Sequence, residues 1–317
     1  MRTTVYFATN RVVTHPADTV AGYTATMVPP THPGAITYGV AYVDGVDLTK
    51  DNAGTVSQIA NIQQGRFPDD VIADLSAPGR NLLVFIHGFD NTFSDAITRA
   101  AENREWLAAS GNPQADTTVI AFSWPSKGQI ASFPILQSDY LTDQNMARQS
   151  GPHLMSFLAN LEPIITALRQ SGHKAILLAH SMGNLALESA VENWFLNGNG
   201  KDMMFEQAIL AAGDCAYNAF DQPNLSGLNG LPLLADRIAT YYSHVDHVLQ
   251  LSMAVNLGAQ RLGQDGPLHR SDSARFPGST YPMNDCSADQ DYAFDLLSSH
   301  QYYRMSPSVR KVIAASI

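Results

Sequence analysis

Cysteine is nearly missing from this chain, with Cys215 and Cys286 the only two in 317 residues. Two widely spaced cysteines make no disulfide scaffold at this length, and neither stands in a CxxC or Cys/His spacing that would hold zinc. They read as small buried residues. Charge is also sparse: charged residues make up 15% of the sequence, and the formal net charge is −10. Lys and Arg are scattered, with no run longer than the pair Arg310-Lys311. The cationic footprint that displaces phosphate counterions is lacking, so no nucleic-acid partner is expected. The overall negative field disfavours polyanionic substrates as well, unless a local pocket overrides it. No apolar run approaches the ~20 residues of a membrane span. Met1-Arg2-Thr3-Thr4-Val5-Tyr6-Phe7 lacks the apolar stretch of a secretory leader, so the expectation is a cytoplasmic protein, with a processed secreted form as the alternative. Internal repeats and low-complexity linkers are lacking too, and one domain over residues 1–317 is expected.

What the chain does have is apolar content, 45% of its residues, enough to bury a large core. Thr4–Thr9 and Ile36–Val43 are rich in Val, Ile, Tyr and Phe and read as strands. From residue 82 the pattern becomes short apolar runs alternating with helical stretches. The runs are Leu82–Ile86, Thr118–Phe122, Ala175–Ala179, Ala208–Ala212 and Ile238–Tyr242. Continuous runs of this length suit strands buried on both faces. Between them, Phe93, Ile97, Ala100, Ala101 and Leu107 form a helical stripe behind a Thr92/Asp95 capping pair. Leu154, Phe157, Leu158, Leu161, Ile165 and Leu168 form another, which Pro152 and Pro163 are expected to break or kink. Met182–Leu196 and Ser306–Ser316 read as further helices, and Thr280–Asp285 as a short edge strand. Such alternation predicts a mostly parallel, doubly wound sheet flanked by helices, with ligands outside the carboxyl ends of the strands.

The sharpest local signal is Ala179-His180-Ser181-Met182-Gly183, a small-x-Ser-x-Gly pattern between a strand and a helix. A tight, strained turn there needs small residues two before and two after the serine, and Ala179 meets that need as Gly would. The turn lifts Ser181 Oγ clear of the sheet beside backbone N–H groups at a helix N-terminus. Phe85-Ile86-His87-Gly88-Phe89 follows an earlier strand, and Gly88 lets its backbone approach a reacting carbonyl. The backbone N–H groups of Phe89 and Met182 are the expected oxyanion donors. His87 reads as a brace for that loop, because in this arrangement the base follows the acid along the chain. The acid is sought past a strand end: Asp246 fits, with Asp214 as its rival. His300, in Ser298-Ser299-His300-Gln301-Tyr302-Tyr303, is the expected base, with His269 the alternative. Trp124, Tyr140 and Tyr302 are candidate pocket residues that could equally be packing residues. Trp124 and the segment through Phe133, Ile135, Leu136 and Tyr140 suit a small flap spanning 124–142.

Taken together, these residues resemble the α/β-hydrolase superfamily, and within it a branch of mostly uncharacterised bacterial hydrolases. The matching pieces are Ala8-Thr9-Asn10-Arg11, Phe85 to Phe89, Phe122-Ser123-Trp124-Pro125-Ser126, Ala179 to Asn184, Tyr241 to Asp246, and His300 to Tyr303. They span nearly the whole chain in the branch's order. One departure is Gly213 in Ala211-Ala212-Gly213-Asp214, where the branch usually carries Pro. The resemblance implies the α/β-hydrolase fold without a large separate cap domain, and Ser181, Asp246 and His300 as a triad. It implies a small-molecule ester as substrate, with no metal or organic cofactor. Dehalogenases and epoxide hydrolases of this fold use Asp where Ser181 stands. A thioesterase, an amidase or a silent binding protein shares the remaining features.

Overall fold

A computed structural model describes residues 1–50, 54–77, 79–126 and 136–317, the first two residues of the last range by backbone alone. The strands are β1 (Arg2–Thr9), β2 (Arg11–Val13), β3 (Tyr23–Met27), β4 (Thr37–Asp44), β5 (Thr55–Gln64), β6 (Asn81–Ile86), β7 (Thr117–Ser123), β8 (Ala175–His180), β9 (Phe205–Ala211), β10 (Ala235–Tyr242) and β11 (Met283–Asp285). The α-helices are α1 (Asp69–Ser76), α2 (Phe93–Ala108), α3 (Leu136–Gln149), α4 (Gly151–Gln170), α5 (Gly183–Leu196), α6 (His247–Val255), α7 (Leu262–Asp265), α8 (Tyr302–Met305) and α9 (Pro307–Ser316).

Nine strands form one sheet in the order β11-β10-β9-β8-β6-β7-β1-β4-β5. Neighbours from β11 to β1 pair in parallel, while β4 and β5 add an antiparallel edge. Every residue of β6 and of β8 is buried, as their unbroken Leu/Val/Ile runs require when helices cover both faces. One core layer lies under α1, α4 and α5, and the other under α2 and α9. This is the mostly parallel, doubly wound sheet expected from the alternation of strands and helices, and the architecture that the resemblance to α/β-hydrolases implies.

The chain runs from β6 to β7 on one side, then crosses to β8 on the other. The carboxyl ends of β6 and β8 therefore flank a switch point, where open α/β sheets form their ligand crevice. Thr92 and Asp95 form a reciprocal cap on α2, with the Asp95 N–H 3.2 Å from Thr92 Oγ1 and the Thr92 N–H 2.9 Å from Asp95 Oδ2.

The expected break in the helix is corrected, and one edge strand lies outside the apolar pattern. The proline-rich segment is not broken: Pro152 occupies the first turn of α4, where a missing N–H costs nothing, and the helix continues through Pro163. The edge strand β5 was absent from the sequence reading. Its Thr-Val-Ser-Gln-Ile-Ala-Asn-Ile-Gln-Gln buries only Ile59, and it is held by backbone pairing to β4 rather than by an apolar pattern.

Candidate active site

The turn after β8 is strained as its sequence demands. Ser181 adopts φ +55°, a left-handed conformation that a side-chain-bearing residue keeps only when its surroundings enforce it. Those surroundings are visible. The Ser181 N–H donates to Ala211 O at 3.0 Å, and Ser181 O accepts from the N–H groups of Asn184 and Asp214, each at 3.0 Å. Asn184 Nδ2 donates to Ala179 O at 3.0 Å and to Ser181 O at 3.1 Å. At Gly183 a Cβ would sit 2.5 Å from His87 O, so no larger residue fits between this turn and the loop after β6. At Gly88 a Cβ would lie 2.6 Å from Ser181 Cβ and 3.2 Å from its Oγ. The Gly88–Phe89 backbone thus lies directly against the serine, and Met182 stands at the N-cap of α5.

Three side chains then meet in line. His300 Nε2 is 2.7 Å from Ser181 Oγ, and His300 Nδ1 is 2.6 Å from Asp246 Oδ2. Asp246 is fully buried and caps α6, its Oδ1 accepting from the Leu249 N–H at 3.0 Å. His300 ends a short 3-10 turn before α8. The rival carboxylate is spoken for elsewhere. Asp214 Oδ1 accepts from Arg261 Nε at 2.8 Å and from Ser252 Oγ at 2.6 Å, and Oδ2 accepts from the Tyr140 hydroxyl at 2.8 Å. The alternative base, His269, is exposed on a loop.

His87 is fully buried with its Nδ1 donating to Gly88 O at 2.9 Å, a brace for the loop beside the serine. Burial, aided by the Arg11 charge, drives its pKa down to about 3. Asn91 Nδ2 holds the Gly88 and Phe89 carbonyls at 3.2 and 2.6 Å. Beneath them the buried Arg11 guanidinium donates to Asn91 O at 2.9 Å and Trp124 O at 2.6 Å, tying the loops after β6 and β7 together. Arg11 and Asn91 escaped the sequence reading as supports. A lone arginine after a strand gives no sign of burial.

Trp124 and Tyr302 require correction as pocket candidates. Trp124 is wholly buried, its ring stacked on His87 at 5.0 Å and 2°, and its Nε1 donates to His87 O at 2.8 Å. An enclosed indole of this kind braces the loop and cannot reach a ligand. Tyr302 is likewise buried, its hydroxyl donating to Tyr241 O at 2.8 Å. Tyr140 does line the space beside Ser181. Of the expected flap, Phe133 and Ile135 lie outside the described residues; its far end is the start of α3.

That space is a cavity of about 350 Å³. Among the described residues its walls are largely aliphatic and aromatic: Phe89, Tyr140, Val248, Leu251, Val255, Leu296 and Leu297. Asp90, Arg99, Asp214, Ser252 and Gln301 also line it, around Ser181, His180 and His300. No group of three or more metal-ligating side chains occurs among the described residues, and no helix there is long and apolar enough to cross a membrane.

A family model described as "Alpha/beta hydrolase of unknown function (DUF900)" matches residues 64–315. The chain belongs to this family. No curated protein matches it. Among solved structures, esterase PE8 is 16% identical, with 72% of this chain and 93% of that one covered and a TM-score of 0.35. An esterase from Pyrobaculum calidifontis is 12% identical, covering 89% and 80%, with a TM-score of 0.39. A cutinase from Trichoderma reesei is 10% identical, covering 78% and 82%, with a TM-score of 0.31. None of these likenesses is close enough to carry a substrate across to this family member.

Proposed function

We propose that the protein hydrolyses carboxylic esters of short to medium acyl groups through Ser181, His300 and Asp246. The observation that carries this reading is the unbroken line of contacts, 2.7 Å from serine to imidazole and 2.6 Å from imidazole to carboxylate. His300 Nε2 takes the Ser181 proton as Oγ attacks the ester carbonyl carbon. Asp246 accepts from Nδ1–H, fixes the tautomer and stabilises the imidazolium. The developing oxyanion is met by the N–H groups of Phe89 and Met182. As the tetrahedral intermediate collapses, the bond from carbonyl carbon to alkoxy oxygen breaks, and His300 returns its proton to that oxygen. Water then attacks the acyl-enzyme with His300 again as base, releasing the acid. A cavity of about 350 Å³ suits a small ester better than a lipid with long chains.

An active-site fluorophosphonate tests the reading. It should add once to the native protein, and Ser181→Ala should abolish the adduct and lower kcat by on the order of 10⁴–10⁶. A folded protein that takes no adduct, under conditions that label a control esterase, would be a binding protein instead.

A further inference from the structure

Among the described residues the aliphatic wall of the cavity comes from two segments of the chain. Val248, Leu251 and Val255 recur at three- and four-residue spacing on α6, so one stripe of that helix faces the cavity while Leu249 is buried in the core. Leu296 and Leu297, 49% and 51% exposed, continue the wall from the turn that ends in His300. The two segments are joined: the His247 N–H donates to Ser299 Oγ at 3.1 Å, and that hydroxyl donates to Leu296 O at 2.7 Å. These are also the segments that hold the other two members of the line, since Asp246 caps α6 and His300 closes the turn. The aliphatic wall and the imidazole therefore belong to the same two joined segments, whereas Gly88 packs against the serine from a separate loop.

Acyl transfer gives that shared origin a chemical meaning. The alkoxy oxygen must lie within reach of His300 Nε2, because it receives the proton that Nε2 took from Ser181 when the carbon–oxygen bond breaks. Whatever is attached to that oxygen extends along the surface carrying the imidazole. The acyl carbon instead turns its oxygen to the Phe89 and Met182 N–H groups. We infer that the wall of Val248, Leu251, Val255, Leu296 and Leu297 binds the alcohol portion of the ester. The preferred substrates are then esters of aliphatic alcohols of several carbons, joined to a smaller acyl group. This rests on the hydrolase reading above and adds which half of the substrate the site measures.

Two homologous series test it: acetates of alcohols from methanol to octanol, and ethyl esters of acids from acetate to octanoate. With the alcohol series kcat/KM should climb by up to about fourfold per methylene until the wall is covered. With the acid series it should level off early. A Leu251→Ser, Leu297→Ser double variant should lose on the order of tenfold on hexyl acetate and flatten the alcohol series. Leu257→Ser, at a leucine 99% exposed and outside the cavity lining, should keep the native slope. A steep acid series over a flat alcohol series, or an unchanged slope in the double variant, overturns the assignment. Fluorophosphonate labelling of the same preparations separates the two levels. Labelled protein with a flat alcohol series sinks this inference alone, whereas protein that neither labels nor hydrolyses either series sinks the hydrolase reading with it.

Discussion

Two buried carboxylates stand past neighbouring strand ends, Asp214 after β9 and Asp246 after β10, and their surroundings differ completely. Asp214 meets a permanent cation, Arg261, and two hydroxyls. Asp246 meets one backbone N–H and one imidazole. A carboxylate neutralised by a guanidinium has little left to offer a transient imidazolium. One facing a lone histidine is the better placed of the two to steady the imidazolium that the proposed reaction would form. Position along the chain therefore nominates both residues, and the partner tells them apart.

Between the two carboxylates, the larger expected effect on rate comes from removing the charge of Asp246. Asp246→Asn should lower kcat by about 10²–10⁴, because the amide can present a donor where His300 Nδ1–H needs an acceptor. Stability should suffer little, since the Asn oxygen can still cap α6. Steady-state kinetics beside urea unfolding would check both halves. The comparison breaks if kcat is barely changed while Asp214→Asn abolishes activity in an equally stable protein.

Asp214→Asn is expected to act on the fold instead. It leaves the nearly buried Arg261 guanidinium without its counter-charge, a loss of about 3 kcal/mol in unfolding free energy, with kcat within roughly tenfold of the native value. Denaturant midpoints would register the first and initial rates the second. A variant as stable as the native protein would show that Arg261 finds another partner.

Whether a buried group meets a charge also divides the histidines. His300 faces Asp246, whereas His87 and His180 are buried with a ring nitrogen on a backbone carbonyl, Gly88 O and His300 O respectively. Burial lowers both, and His87 falls to about 3. For His180 the proximity of His300 adds to the effect, while its Nε2 lies 3.1 Å from His300 O. Below the ordinary histidine value near 6.5, the unfolded chain binds protons that these native imidazoles refuse. Their contribution therefore makes stability fall as pH drops through 6.5 towards 3. For His87 the loss between pH 7 and pH 5 comes to about 2 kcal/mol. Urea titrations at the two pH values would register it together with the His180 contribution. An equal midpoint slope and free energy at both would mean that His87 takes up its proton in the folded state.

How far the sequence carried this picture depends on which physics each feature uses. Strands buried on both faces announce themselves as unbroken apolar runs, so β6 through β10 were legible within a few residues. The strand–turn–helix around Ser181 was legible because a strained turn permits few residue types. Contacts between segments far apart in the chain were not. Nothing in the sequence around Asp214 says that Arg261, forty-seven positions on, lies 2.8 Å away. Trp124 misled for a related reason: an aromatic after a strand end fits a pocket wall and a buried brace equally well, and only the 2° stack on His87 decides. β5 was missed because an edge strand needs backbone partners more than apolar side chains.

The smallest expected effect sharpens the comparison at the Asp214 side. The Tyr140 hydroxyl lies 2.8 Å from Asp214 Oδ2, 2.7 Å from Ser252 Oγ and 3.1 Å from Asn256 Nδ2. Burial first, and then the Asp214 charge, hold the phenol protonated far above neutral pH, so it donates to the carboxylate at every working pH. Tyr140→Phe keeps the ring, which lies 5.9 Å from that of Phe89 in the cavity wall, and removes only the oxygen. Asp214 would retain Arg261 and Ser252. The main loss is one hydrogen bond to a charged group, about 1.5 kcal/mol, because Asn256 Nδ2 keeps Ser252 O at 2.8 Å. Because the hydroxyl bonds to none of Ser181, His300 and Asp246, kcat should stay within a few-fold of native. A double-mutant cycle with Asp214→Asn would show coupling in stability and none in kcat. If Tyr140→Phe instead lowered kcat as much as Asp246→Asn at unchanged stability, the Asp214 cluster would take part in the chemistry, and the division between the two carboxylates would fail.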